Sequence, residues 1–165
     1  EQPNLRDYLW NAQTDVSKIS IESINRWRPE NAGARPAVIL RRNDYKPQRI
    51  SIGNKLHGFG DGVARIYNEF GIGSHTLFVI AAKGGEAESL ATEIYRELHR
   101  FGPALQEELD LLRLEVVQSG RVMPVAEASG YFGIPLTVAY AHNSTWQVMQ
   151  HGPVFRSIEL SDFVP

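Results

Sequence analysis

The sequence SHTLFVIAAKGGEAESLATEIYRELHRFG, residues 74–102, decides the fold because it contains an apolar strand that leads into the clearest helix of the chain. The apolar run from His75 to Ala82 predicts a covered strand. After the turn Lys83-Gly84-Gly85, apolar residues recur at helical spacing and form one stripe. The members of this stripe are Ala87, Leu90, Ala91, Ile94, Tyr95, Leu98 and Phe101. The pattern predicts a main helix over about residues 86–101.

Both ends of this helix carry suitable residues. Acids occur in the first turn, within residues 86–88, and bases in the last turn, at residues 99–100, as the helix dipole favours. Gly102 is expected directly after the helix and Pro103 is expected to stop it. A short second helix is expected over residues 103–108.

Strand patterns flank this unit on both sides. Gly71 and Gly73 are expected to turn the chain, so that the preceding strand and the run from Ser74 form a hairpin. A further turn is expected at residues 43–47. Pro135 lacks an N–H, which indicates a sheet edge or a bulge at that point. The expected strands cover residues 19–23, 37–42, 49–52, 63–70, 112–118, 132–142 and 154–160.

The order of elements, mostly strands with one dominant helix, predicts an α+β fold. We expect a mixed, mostly antiparallel sheet with the main helix packed on it, plus loops and terminal arms. One domain over residues 1–165 accounts for the length, with a possible N-terminal arm at 1–17 and a C-terminal tail at 161–165.

The N-terminal arm is open to two interpretations. A short helix is one, because apolar residues fall at helical spacing and Asn4 is a suitable cap. An irregular arm is the other. The residues that define the spacing are Leu5, Tyr8, Leu9 and Ala12.

The composition excludes several classes of function. Lysine and arginine number 17 against 19 aspartates and glutamates, which argues against a dedicated nucleic-acid binder. The basic residues between 26 and 49 are open to two interpretations. One is contact with DNA or with an acidic partner, and the other is a solvated face. The chain has no cysteine, so disulfides and thiolate sites are excluded. No apolar run approaches the roughly 20 residues that cross a membrane, and the first residues do not resemble a signal peptide.

No catalytic, cofactor or metal site is predicted. The histidines form no HxH or HxxxH pair, and structural roles are favoured for them. Lys83-Gly84-Gly85 joins a strand to a helix, as phosphate loops do, but glutamates follow it and would repel an anion. Gly58-Phe-Gly-Asp-Gly62 precedes a strand pattern and not a helix, so the dinucleotide fingerprint fails.

Residues 53–62 are rich in glycine and are expected to form a functional loop. We predict a protein-interaction loop here, carried by Lys55, Leu56, His57, Phe59 and Asp61. A small α/β enzyme is an alternative, with His57 as the base and Asp61 as its orienting acid. Nothing else in the sequence supports that alternative, so we expect a protein that is not an enzyme.

Five segments share a pattern of core residues: Ser74-His-Thr-Leu-Phe-Val-Ile-Ala-Ala82, Gly85-Glu-Ala-Glu88, Ile94-Tyr-Arg-Glu-Leu98, Asp110-Leu-Leu-Arg-Leu-Glu-Val116 and Ile134-Pro-Leu-Thr-Val-Ala-Tyr140. Together they resemble structural proteins from the neck of tailed bacteriophages, of the tail-terminator or head–tail connecting type. The resemblance spans about residues 36–142 and is a pattern of core residues, not a catalytic motif.

This resemblance implies a virion protein at the head–tail junction. It implies a ring, with six subunits as the expected number, that terminates the tail and contacts other neck and tail-tube proteins. Protomers of such rings associate through sheet edges and loops, and arms clasp neighbours. DNA passes through the channel without specific binding, and near-neutral charge suits such a passage because a strongly basic lining would hold phosphates. A connector adaptor or stopper is the alternative within the same resemblance. No cofactor and no membrane are expected.

Overall fold

The structure is a computed structural model that describes residues 11, 17–28, 30, 35–48, 55–59, 64–126 and 128–149. For residues 55–59, 64, 65 and 149 only the backbone is described. The predicted strands at 49–52 and 154–160, Asp61 and the C-terminal tail lie outside the described residues, as does nearly all of the N-terminal arm.

One long helix and a seven-stranded sheet form the described part of the chain. In chain order the elements are β1 (Ser20–Ser23), β2 (Ala37–Gln48), β3 (Lys55–Phe59), β4 (Ala64–Ala81), α1 (Gly84–Glu108), β5 (Leu111–Ser119), β6 (Met123–Pro124) and β7 (Phe132–Met149).

The sheet has the order β1-β2-β4-β7-β5, with β3 paired to β4 and β6 paired to β7. β1 and β2 are parallel, whereas the remaining pairs are antiparallel. The prediction of an α+β fold, with a mixed and mostly antiparallel sheet and one main helix packed on it, is confirmed.

The expected end of the helix is wrong, because α1 continues through Pro103 to Glu108. The proline removes one backbone hydrogen bond, but the turns after it are held by tertiary contacts. Gln106 donates from Nε2 to the Leu114 carbonyl at 3.3 Å, and Leu105 lines an apolar groove beside Ile19. Residues 103–108 are therefore the last turns of the main helix and not a second one.

The expected hairpin at Gly71 and Gly73 is also wrong. β4 pairs with β7 without interruption from Ala64 to Ala81, and both glycines are extended members of that strand. A Cβ on Gly73 would lie 2.5 Å from the Tyr140 ring, and a Cβ on Gly71 would meet the Tyr45 ring. These glycines make room for tyrosine rings on neighbouring strands.

Two other segments that were predicted as a turn or a loop are strands in the structure. Residues 43–47, expected to be a turn, belong to β2, whose pairing with β4 shifts between Arg42 and Tyr45. This bulge accommodates the polar residues that suggested a turn. Residues 55–59, expected in the glycine-rich loop, form β3, because β4 offers them an edge with which to pair.

Pro135 behaves as its sequence position suggested. Its carbonyl accepts a hydrogen bond from the Gly120 N–H at 2.8 Å. The N and C=O of one strand residue point to the same side, so the proline nitrogen faces the gap between β5 and β6. The missing N–H thus costs the sheet no ladder bond.

The core is concentrated at the end of the sheet where β4 finishes and β7 starts. On one face, α1 covers a cluster made by Ile19, Val38, Val79, Ala81, Ala87, Leu90, Ala91, Ile134 and Leu136. On the other face a smaller cluster contains Trp27, Ala37, Ile39, Ile80 and Ala128. The opposite ends of β4 and β7 contribute to neither cluster, and this asymmetry positions the candidate site.

Candidate interaction surface

β4 and β7 continue well past the strands beside them. β2 makes its last pair with Phe70, and β5 makes its first with His142, but the β4–β7 ladder goes on to the pair of Ala64 and Met149. We name residues 55–59, 64–70 and 143–149 the distal sheet. At the usual rise per residue, the β4–β7 part of it is about 23 Å long.

The distal sheet exposes large apolar side chains. Trp146 is 41% exposed and Val148 is 40% exposed, although a tryptophan is usually well covered in a folded domain. Trp146 stacks on Tyr67 across the strand pair, with ring centroids 5.7 Å apart. Aromatic residues that are held in place but left open to solvent are typical of interaction surfaces.

One edge of the distal sheet is open within the described residues. β4 lies on one side of β7 from Asn143 to Met149, and no described strand pairs with its other side. The sequence of this edge, NSTWQVM, has neither a charge nor a proline, the residues with which natural sheets protect such edges. It is therefore a suitable edge for another strand.

The outer strand β5 is different, because it is bulged near both ends. The pairing skips Leu112 and Val117, and these two side chains are 62% and 50% exposed. A bulge interrupts the ladder and twists the strand away from a new partner. The β5 edge thus presents apolar side chains more readily than backbone hydrogen-bonding groups.

A row of aromatic rings lies between the core and the distal sheet. Tyr45 stacks on His142 with centroids 5.6 Å apart, Tyr140 lies 6.3 Å from His142, and His75 lies 5.2 Å from Tyr140. Side chains alternate between the faces of a strand, so His75 shares the face of Val79, which α1 covers further along. The row thus extends the helix-bearing face towards the distal sheet.

Tyr45 also has an electrostatic partner in this row. Its hydroxyl donates to Glu69 Oε1 at 3.2 Å. Partial burial raises the pKa of Tyr45 above its ordinary value, and the bond to Glu69 and the charge of that carboxylate raise it further. The raised pKa means that the phenol stays neutral and keeps donating to Glu69 at higher pH than an ordinary tyrosine would.

The sequence missed this aromatic row, although it contained a signal for it. Two glycines separated by one residue, Gly71 and Gly73, interrupt a strand pattern. Such glycines mark either a turn or a close approach of another group to the backbone. The tyrosine rings that approach these glycines come from β2 and β7. Which side chains approach them could be known only from the pairing of the strands.

The predicted interaction residues Lys55, Leu56, His57 and Phe59 lie on β3, where His57 is paired with Ile66. They belong to the distal sheet, but their side chains and Asp61 are outside the described residues. Their interaction role therefore stays a prediction, as does the pairing of His57 with Asp61 in an enzyme.

The histidines whose side chains are described lie in structural surroundings. His99 stacks on Tyr95 with centroids 6.4 Å apart, and His75 and His142 belong to the aromatic row. At the start of α1, a Cβ on Gly84 would lie 3.3 Å from Val122 and 3.8 Å from Phe132, so this glycine packs closely on apolar side chains. In the part of the chain that the structure describes, no group of three or more histidines, aspartates and glutamates could hold a metal ion.

The comparisons with known proteins add no relative. No protein-family model matches this chain, and no curated protein sequence matches it significantly. Within the described residues, no helix has both the length and the apolar character needed to cross a membrane.

Proposed function

We propose that this chain is a structural subunit of the neck of a tailed bacteriophage, of the tail-terminator or head–tail connecting type. In this proposal, copies of the chain form a ring of six that terminates the tail and joins it to the head connector in the virion. DNA passes through the channel without specific binding. The subunit acts by binding other neck and tail-tube proteins and carries out no catalysis.

The observation that carries the proposal is the distal sheet. A small sheet away from a hydrophobic core is only marginally stable in water. Yet the distal sheet projects about 23 Å beyond the pair of Leu111 and His142, and it exposes Trp146 and Val148. Packing against a neighbouring subunit would cover these side chains. A protein that works by assembly needs such a surface, whereas a monomeric enzyme does not.

The apolar side chains of the β5 edge support the same proposal. The distal sheet and β5 are separate surfaces, and each exposes large apolar groups to solvent. A heterologous ring requires two different surfaces on each subunit, because one surface of a protomer contacts the other surface of the next. Leu112 and Trp146 thus belong to two surfaces that could meet in a ring.

The proposal can be tested by locating the chain in assembled particles and by removing the surface that it depends on. Electron cryomicroscopy of intact particles is expected to show a ring of this chain between the connector and the tail tube. Its position also separates a tail terminator from an adaptor or stopper. A location elsewhere in the particle, or no ring, would contradict the proposal.

The matched substitution is Trp146→Lys, with Tyr95→Lys on the exposed side of α1 as the control. Trp146→Lys should prevent incorporation of the chain into particles, because it places a charge in the proposed interface. Tyr95→Lys should assemble normally. Circular dichroism checks that both variants fold. Normal incorporation of folded Trp146→Lys would remove the distal sheet from the proposal.

A further inference from the structure

We propose that residues 1–10 dock onto the same chain, in an apolar groove between α1 and Ile19, the residue before β1. This inference is independent of the proposed role in the phage neck, because it concerns a contact within one subunit. The groove is formed by described residues, and the segment that would fill it joins the described part of the chain at Asn11, which is bonded to Ser17.

The groove lies along the side of α1 that Ile19 adjoins. It has a volume of about 510 Å³ and is lined mainly by apolar residues of the helix. Phe101 is 48% exposed on this side, although it belongs to the apolar stripe of α1. An amphipathic helix normally buries its whole stripe. The stripe of α1 is thus only partly covered, and its members Leu90, Ile94, Leu98 and Phe101 line the groove together with Leu105.

The chain enters beside this groove. Asn11 donates from its backbone N–H to Ser17 Oγ at 3.2 Å, and Ser17 is itself buried. Arg35 fixes the same residue by donating to its carbonyl at 3.0 Å. Two residues later, Ile19 is both a core residue and part of the groove lining. Residues 1–10 therefore leave Asn11 from a point tied to the wall of the groove.

The segment has the composition and length to fill the groove. Leu5, Tyr8 and Leu9 have the spacing of one helical face. Ten residues in a helix would be about 15 Å long, whereas α1 rises about 22 Å between Leu90 and Leu105. The segment thus fits within the length of the groove, with its apolar residues available to cover Phe101.

The short connection favours the same chain over a neighbouring one. Only residues 12–16 separate Asn11 from the fixed Ser17. A tether of this length gives an effective concentration in the millimolar range, which exceeds the concentration of free subunits in most experiments. A contact too weak to join two chains would therefore still form within one.

The absence of cysteine makes the test direct, because an introduced pair is the only pair that can form a disulfide. In the full chain, Leu9→Cys is combined with Glu97→Cys, on the groove side of α1. The matched control combines Leu9→Cys with Val117→Cys on the exposed β5 edge. The first pair is expected to give an intramolecular disulfide whose yield does not change on dilution, and the control pair is expected to give none. Products are separated by non-reducing electrophoresis.

A second measurement does not depend on disulfide geometry. Phe101→Cys alone should react about tenfold more slowly with a thiol reagent in the otherwise unchanged chain than in a chain that also carries Leu5→Asp and Leu9→Asp. Equal labelling rates would overturn the proposal. Disulfide-linked dimers without an intramolecular product would also overturn it, in favour of docking onto a second copy.

Discussion

Replacing Gly73 by alanine should destabilise the protein only as long as Tyr140 is present. The two residues are direct partners in the β4–β7 ladder. The added Cβ would lie 2.5 Å from Tyr140 Cζ and 3.0 Å from its Cε1, which is closer than carbon atoms can pack. The tyrosine ring must therefore move relative to its neighbours, among which the His75 ring lies 5.2 Å away.

The net effect follows from opposing contributions. Overpacking costs about 1–3 kcal/mol, and a disturbed aromatic pair costs about 0.5–1.5 kcal/mol. Replacing a glycine in a strand by alanine gains about 0.5–1 kcal/mol, because the unfolded chain loses freedom. We expect Gly73→Ala to lower the free energy of unfolding by about 1–2 kcal/mol. At this chain length, that loss lowers Tm by about 3–6 °C.

When Tyr140 is also replaced, the effect of Gly73→Ala on the free energy of unfolding should change sign. In a Tyr140→Ala background the added Cβ has room, so Gly73→Ala should raise the free energy of unfolding by about 0.5–1 kcal/mol. The coupling energy between the two sites is then about 2 kcal/mol. Urea denaturation of the four proteins of the cycle measures it, provided that the slope with denaturant stays constant.

A matched glycine provides the control. Gly85→Ala places a Cβ where no atom lies within 4 Å, so it should not destabilise. If Gly73→Ala is equally destabilising with and without the Tyr140 ring, the steric argument is refuted. The glycine would then be required for another reason, such as the backbone conformation.

Four other substitutions test the helix and the aromatic row. Gly102→Ala should raise the free energy of unfolding in urea by about 0.5–1 kcal/mol, since Gly102 is inside α1 and an added Cβ meets nothing within 4 Å; a loss of stability would contradict this. Pro103→Ala should raise it by about 1–3 kcal/mol by restoring a helical hydrogen bond, and an unchanged value would show that the bond does not form. For Tyr45, whose pKa is raised in the folded protein, the stabilisation is complete below the ordinary tyrosine pKa and is lost as pH rises through the raised value. Tyr45→Phe should therefore lose less stability in strong alkali than the unchanged protein, and Glu69→Gln should lower the Tyr45 pKa in a titration of phenolate absorbance.

The sequence predicted the elements whose local pattern and tertiary surroundings agree. The apolar stripe from Ala87 to Phe101 defines a helix at any position in a fold, because its period follows from the helix itself. The apolar run from His75, which forms the second part of β4, is equally clear as strand, since a continuous apolar run needs cover on both faces. Helix and strand together were sufficient for the α+β class.

The features that the sequence did not predict depend on distant partners. Pro103 stops an isolated helix, but the hydrogen bond from Gln106 in the following turn to the Leu114 carbonyl opposes that local preference. Gly73 turns an isolated chain, but the Tyr140 ring occupies the space beside it. In each case the deciding group is far away in sequence, where local periodicity carries no information about it.

The edges of β7 and β5 differ, and the difference indicates how copies of this chain could associate. The resemblance to neck proteins implies association through sheet edges, but β5 is bulged at Leu112 and Val117 and is poorly suited to pairing. The open edge of β7 from Asn143 to Met149 has no bulge in its pairing with β4 and can accept a strand. The sequence predicts a further strand at residues 154–160. The copy of this strand that pairs with β7 could belong to the same chain or to a neighbouring one. We therefore expect strand pairing at β7 and side-chain packing at β5. Lysine in place of Leu112 should weaken the second contact without changing the first.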